Sequence, residues 1–276
     1  MATNLPLRVE RVSHTNPEGK EWPILYKYRD GANPFHLRAI TNGELYLSSP
    51  ADFVDKLDCN LPTDVTLLST QERLEFVRRS IFNQFPELRL KSPDKQRRQI
   101  RYWANKGPIN DPAHVQRVFD NAQKDFNNRF GVLCLTANPA NEHLWQGYAA
   151  DFSGFSIGFQ PQLFDEYGGG RIIYVPELPV FKGNEDPSTY MVNQILLKRK
   201  QYEPEDEFRI TRFWPAKPTA DQRKIHARPQ QVAEVVIGYR ASAALTATIQ
   251  QYLPATPIRV ARPNGSGGVL LEPWQI

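Results

Sequence analysis

Between Lys198 and Thr211 the chain reads Lys-Arg-Lys-Gln-Tyr-Glu-Pro-Glu-Asp-Glu-Phe-Arg-Ile-Thr. Pro204 interrupts whatever precedes it, because its ring nitrogen cannot donate to a ladder or a helix. From Glu205 onward charged and apolar residues alternate. Glu205, Glu207, Arg209 and Thr211 fall on one side, Asp206, Phe208 and Ile210 on the other. In a strand such residues share a face at steps of about 7 Å. Two carboxylates and a guanidinium in a row could hold a polar ligand and steady a developing positive charge. The same alternation also describes an edge strand whose charged side faces water. Both readings stand at this point.

A row of this kind needs a scaffold, and the pattern on either side supplies one. The aromatic and apolar run Ile24 to Arg29 predicts a strand. Asn33 and Pro34 are placed to cap and open a short helix through Phe35, Leu37 and Ile40, which Gly43 ends. Glu44 to Ser49 predicts a second strand. Residues 63–130 change to helical spacing (Leu74, Val77, Ile81; Val115, Val118, Ala122), punctuated by Pro86, Pro93, Pro108 and Pro112. The uncharged run Gly131 to Thr136 predicts a central strand. A helix over Glu142 to Ala150 follows, then a strand over Gly154 to Phe159 in which small and large residues alternate. Gly168-Gly169-Gly170 is expected to be a flexible turn before a strand at Arg171 to Val175; it lacks the Lys-Ser/Thr of a phosphate loop. The remaining expectations are a helix over Tyr190 to Lys200, irregular chain over Arg212 to Gln231, and a strand over Val232 to Tyr239. A helix over Ala241 to Tyr252 and a strand over Ile258 to Ala261 follow. Residues 1–20 are expected to form a loosely ordered lead-in with a turn at Asn16 to Gly19. The sum is an α+β fold, a mixed, curved sheet in a single domain of residues 1–276, interrupted by a helical insertion at about 63–130.

Composition narrows the function classes. A chain of 276 residues can bury a full core, and its net charge of +4 with a pI near 9.0 permits a phosphate-bearing or nucleic-acid partner without requiring one. No apolar run reaches the roughly 20 residues of a membrane span. Cys59 and Cys134 lie far apart with no metal-ligand spacing, which points to free thiols and a cytoplasmic setting. Asp52, Asp55 and Asp58 have helical spacing, which a metal could use but which caps of surface helices explain better. Lys91, Lys95, Arg97, Arg98 and Arg101, with Tyr102 and Trp103 beside them, could meet nucleic acid through phosphate contacts and stacking, or form a solvated helix face.

Four segments stand in order along the chain: Leu-Tyr-Lys-Tyr-Arg at 25–29, Gly-Glu-Leu-Tyr-Leu-Ser-Ser-Pro from 43, Leu-Trp-Gln-Gly-Tyr-Ala-Ala-Asp-Phe-Ser-Gly-Phe-Ser-Ile-Gly-Phe at 144–159, and Tyr-Glu-Pro-Glu-Asp-Glu-Phe-Arg-Ile at 202–210. Together they resemble the bacterial family called domain of unknown function 2971, which carries no known activity. A looser resemblance is to ADP-ribosyltransferases, which present an Arg on a first strand, a polar or aromatic residue on a middle element, and a late Glu-x-Glu. That resemblance implies an ADP-ribosyltransferase-like sheet and an NAD-consuming enzyme of toxin or phage-defence type. Glu207, Glu205 and Arg29 would be its catalytic residues. Tyr26, Tyr28, Trp145, Tyr148, Ser153 and Arg209 would lie along the NAD, and no metal would be needed. Cleavage of the nicotinamide–ribose bond passes through an oxocarbenium-like centre that a carboxylate stabilises, and an Arg suits the pyrophosphate. Two other readings remain at this stage. One is a non-catalytic nucleotide- or nucleic-acid-binding module using Arg97, Arg98 and Arg101; the other is a metal-dependent nuclease using Asp55, Asp58, Glu205 and Glu207. Arg29 and Glu207 could also be no more than a buried ion pair.

Overall fold

The computed structural model describes residues 22–275; the expected lead-in and its turn at 16–19 lie outside that range. Among the described residues twelve strands form, here in chain order. They are β1 (Leu25–Arg29), β2 (Glu44–Tyr46), β3 (Phe130–Thr136), β4 (Phe155–Phe159), β5 (Gly169–Arg171) and β6 (Ile173–Val175), then β7 (Leu197–Arg199), β8 (Glu207–Phe213), β9 (Lys224–His226), β10 (Val232–Gly238), β11 (Ile258–Pro263) and β12 (Val269–Pro273). The α-helices are α1 (Pro34–Thr41), α2 (Thr70–Gln84), α3 (Pro93–Lys106), α4 (Pro112–Arg129), α5 (Glu142–Gly147), α6 (Pro161–Tyr167), α7 (Pro187–Leu196) and α8 (Ala243–Tyr252). The fold is α+β. None of these helices is long and apolar enough to cross a membrane.

Two compact units divide the described chain. One joins residues 22–52, Arg129–Pro176 and 198–275; the other joins Phe53–Asn128 and Glu177–Leu197. The first carries an eight-stranded sheet in the order β12-β11-β10-β4-β1-β3-β8-β5. Only β10 and β11 run parallel; the other neighbours are antiparallel, so the sheet is mixed. β3 is the central strand its uncharged sequence predicts. One face holds the main core, with Leu25, Leu133, Leu135, Phe155, Ile157, Phe208 and Ile210 beneath α6 and α8. The other is partly covered by α5 and the turn after it, through Leu144, Trp145 and Phe152. Gly158 in β4 is needed there, since a Cβ would stand 2.7 Å from the Tyr26 ring.

The ladder between β1 and β3 is short. Its register consists of Tyr26 opposite Thr136, whereas β1 pairs with β4 along all five of its residues. Past Tyr26 the two strands part, and the sheet is split there.

The second unit contains α2, α3 and α7 and most of α4. Ser69 and Glu72 form a reciprocal capping box at the start of α2. Pro93 and Pro112 open α3 and α4, and Pro86 and Pro108 open the short 3-10 turns between helices. Val77 and Ile81 of α2 pack against Ala104 of α3, with Phe85 and Trp103 beside them.

Several boundaries differ from expectation. The glycine triplet is not a turn: Gly169 and Gly170 belong to the edge strand β5, paired with β8. Gly169 lies so close to β8 that a Cβ would stand 2.2 Å from the Arg209 carbonyl oxygen. The helix expected through Ala150 stops at Gly147, because Ala150, Asp151 and Phe152 all take left-handed φ (47°, 51° and 61°). The helix expected to Lys200 ends at Leu196 and gives way to β7. The proline-rich stretch holds a short strand, β9, which pairs with β2. β12 follows the last strand that was expected.

Candidate functional site

The alternation along β8 holds from its first residue. Phe208 and Ile210 enter the main core, while Glu207 and Arg209 occupy the opposite face, both almost fully buried. Register carries that face across β3, where Glu207 is opposite Thr136 and Arg209 opposite Cys134. Glu205 does not share the strand. The segment Lys200–Glu205 is a 3-10 turn, and Asp206 after it sits in the left-handed region at φ 40°. An aspartate tolerates that conformation better than most residues, and its carboxylate is held by Arg171 at 2.9 Å. The turn is pinned from below: Thr136 Oγ1 donates to the Glu205 carbonyl, and Asn141 Nδ2 donates to that of Pro204 at 2.7 Å.

The turn brings Glu205 back to the same site by another route. Lys198 Nζ donates to Glu205 Oε2 at 2.7 Å and to Glu207 Oε2 at 2.8 Å. Arg209 Nε donates to Glu207 Oε1 at 2.7 Å and Nη2 to Oε2 at 3.2 Å. The result is an alternating row, Arg209, Glu207, Lys198 and Glu205, whose formal charges cancel. Burial alone would push the Glu207 carboxyl up, but Arg209 and Lys198, with a hydrogen bond from Cys134, hold it down at about 2. Glu207 is therefore ionised at neutral pH. Its side chain is 4% exposed against 17% for Glu205, so Glu205 is the more accessible carboxylate. The Glu207 backbone N–H donates to the Tyr174 hydroxyl at 2.9 Å.

Two more cations come from β1 where the sheet splits. Lys27 Nζ donates to the Cys134 carbonyl oxygen at 2.9 Å, bridging the parted strands. Burial, and then the charge of Arg29, lower it to about 8, against partial compensation from Glu207 and Glu205. Arg29 is half-buried, and burial lowers it to about 10, so it stays protonated. Among the described residues its guanidinium makes no ion pair; Glu207 is bound to Arg209 and Lys198 instead, so an Arg29–Glu207 pair does not form. His36 stands in the same field, lowered by burial and by Arg29. Register pairs Lys27 with Ile157 and Arg29 with Phe155, on the main-core face of β1 and not on the face of Glu207; of the two cations, Lys27 is the one that the charges of Glu207 and Glu205 reach across the split.

The aromatic candidates separate into two groups. Tyr148, at the C-terminal end of α5, is 54% exposed, and the charges of Glu205 and Glu207 reach its hydroxyl. Ser153 is half-buried in the left-handed turn and donates its hydroxyl to the Ala150 carbonyl at 2.7 Å. Trp145 is fully buried, edge-on to Tyr28 at 5.1 Å and stacked on Phe152 at 5.5 Å. Tyr28 is buried and donates to the Asn138 carbonyl; Tyr26 is buried and donates to Glu234 at 2.6 Å. Trp145, Tyr28 and Tyr26 are thus framework residues, corrected from their expected place along a ligand. Arg209 is likewise fully buried and serves Glu207. Sequence reading had no signal for Lys198, Lys27 and Tyr174, whose partners are set by tertiary contacts. Cys134, expected to be a free thiol, is a half-buried thiol that hydrogen-bonds Glu207.

Among the described residues no group of three His, Cys, Asp or Glu side chains converges as metal ligands would. The three arginines singled out on α3 differ in state: Arg97 pairs with Asp94 at 2.5 Å, while Arg98 and Arg101 are exposed. No family model, curated protein or solved structure matches the chain.

Proposed function

We propose that the protein is an NAD-consuming enzyme of the ADP-ribosyltransferase kind, with its site at the split between β1 and β3. The observation that carries this reading is Lys27 of β1, which the charges of Glu207 and Glu205 reach across the split, with Arg29 two residues further along the same strand. A dinucleotide asks for both cation and carboxylate. Its pyrophosphate is a dianion suited to Arg29 and Lys27, and its glycosidic carbon becomes electron-poor as nicotinamide departs. Glu205, the accessible carboxylate, stabilises that carbon; Glu207 fixes Lys198 and through it Glu205. Tyr148 offers an exposed ring on which the nicotinamide can stack. The C1′–N1 bond breaks, nicotinamide leaves with the bonding electrons, and the oxygen or nitrogen of water or an acceptor adds at C1′ and loses its proton.

The test is mass spectrometry of NAD incubated with the protein, with Glu205→Gln and Arg29→Ala beside it. Free nicotinamide is expected with the wild type, and much less with either variant. Release of nicotinamide at the same rate by all three would refute the assignment.

A further inference from the structure

The helical unit carries a surface that the nucleotide site does not use. On α3 the apolar residues Ile100, Trp103 and Ala104 face α2 and its neighbours. At 100° per residue the opposite side of the helix carries Lys95, Arg98, Tyr102 and Lys106, in steps of three, four and four, with Arg101 flanking Arg98. All five side chains are exposed. None of the four cations makes an ion pair among the described residues, in contrast to Arg97 with Asp94. The stripe from Lys95 to Lys106 is about 16 Å long. Tyr102 is 60% exposed in its middle, its ring set at 89° to that of Trp103, which is itself anchored in the unit's core.

We infer that this face binds single-stranded nucleic acid: the cations track phosphates and Tyr102 stacks on an unpaired base. The geometry disfavours the other common polyanion, an anionic membrane. A helix lying on a bilayer inserts its apolar side, and the apolar side of α3 is occupied by α2. The aromatic ring lies within the cationic stripe, where a base bonded to a neighbouring phosphate would meet it. This inference is independent of NAD cleavage.

Fluorescence anisotropy of the full chain with labelled single-stranded RNA and DNA of about 15 nucleotides tests it, with a duplex and phosphatidylserine vesicles alongside. Neutralising three to four phosphates predicts that affinity for single strands falls about 15- to 50-fold between 50 and 200 mM salt. Replacing Lys95, Arg98 and Lys106 by Ala should flatten that dependence to roughly one phosphate. Tyr102→Ala should weaken binding about five- to a hundredfold at every salt concentration without changing the slope, and Tyr102→Phe should restore it. Melting followed by circular dichroism should be the same for all these exposed substitutions. The inference fails if the wild type binds no single strand at 50 mM salt, if it prefers the duplex or the vesicles, or if the triple variant keeps the wild-type slope.

Discussion

Glu207→Gln separates framework from chemistry, and its cost can be worked out from the site. The carboxylate is buried between Arg209 and Lys198 and is held at about 2 instead of the usual 4.5. That difference corresponds to about 3 kcal/mol of folding stability. It agrees with the 3–5 kcal/mol, on the order of magnitude, lost when one partner of a buried ion pair is removed. Because the folded pKa is depressed, the contribution is fully present above about 4.5 and is lost as pH falls through 2. Glutamine cannot titrate, so the stability gap between the two proteins must itself depend on pH. About 1–1.5 kcal/mol of it should be gone by pH 3.5. With a urea m-value of about 2–3 kcal/mol/M, the midpoint at pH 7 should drop by roughly 1–1.5 M. Tryptophan fluorescence in urea at pH 7, 5.5, 4.5 and 3.5 measures the gap. If it is the same at pH 3.5 as at pH 7, Glu207 is not the low-pKa anchor described here.

Glu205→Gln should behave in the opposite manner, leaving the urea midpoint near the wild type. It should cut kcat for NAD cleavage about a hundred- to a thousandfold with little change in KM, as steady-state kinetics would show. ADP affinity measured by calorimetry should fall as pH rises from 7 to 9, because Lys27, held at about 8, loses its proton over that window. In Lys27→Met the affinity should be weaker at pH 7 and flat over the same window. Trp145→Ala should destabilise the fold by about 3–5 kcal/mol through the cavity it leaves. A variant that keeps its stability but loses nicotinamide affinity would return Trp145 to the ligand.

The core of the sheet was legible because burial imposes period. Phe208 and Ile210, the uncharged run at 131–136 and the small-large alternation of β4 all read correctly, as did the Asn33-Pro34 helix start and the prolines that open the segments of the helical unit. Glu205 misled because its place depends on one left-handed residue, Asp206, and the energy separating that backbone state from the extended one is about 1–2 kcal/mol. No alternation pattern registers so local a choice. Lys27 lies far in sequence from its partner Cys134, Lys198 meets Glu205 and Glu207 only because the intervening turn folds back, and a lysine's stem lets the same residue type sit in water or in a core. Trp145 and Tyr148 are three residues apart with nearly opposite exposure, and only the packing of Phe152 and Tyr28 decides which one is covered.

The split after Tyr26 bears on how the sheet moves. β12, β11, β10, β4 and β1 form one hydrogen-bonded block, β3, β8 and β5 another, and β1 and β3 meet at one register pair and the Lys27–Cys134 hydrogen bond, above a shared packed face. Local opening follows the boundary where the fewest backbone bonds need to break. The two blocks can therefore exchange their amide hydrogens as separate cooperative units, hinged on the side of the main core. A ligand held by Lys27 on one block and Glu205 beside the other would tie them into one unit. Occupancy would then slow exchange in strands that never touch the ligand.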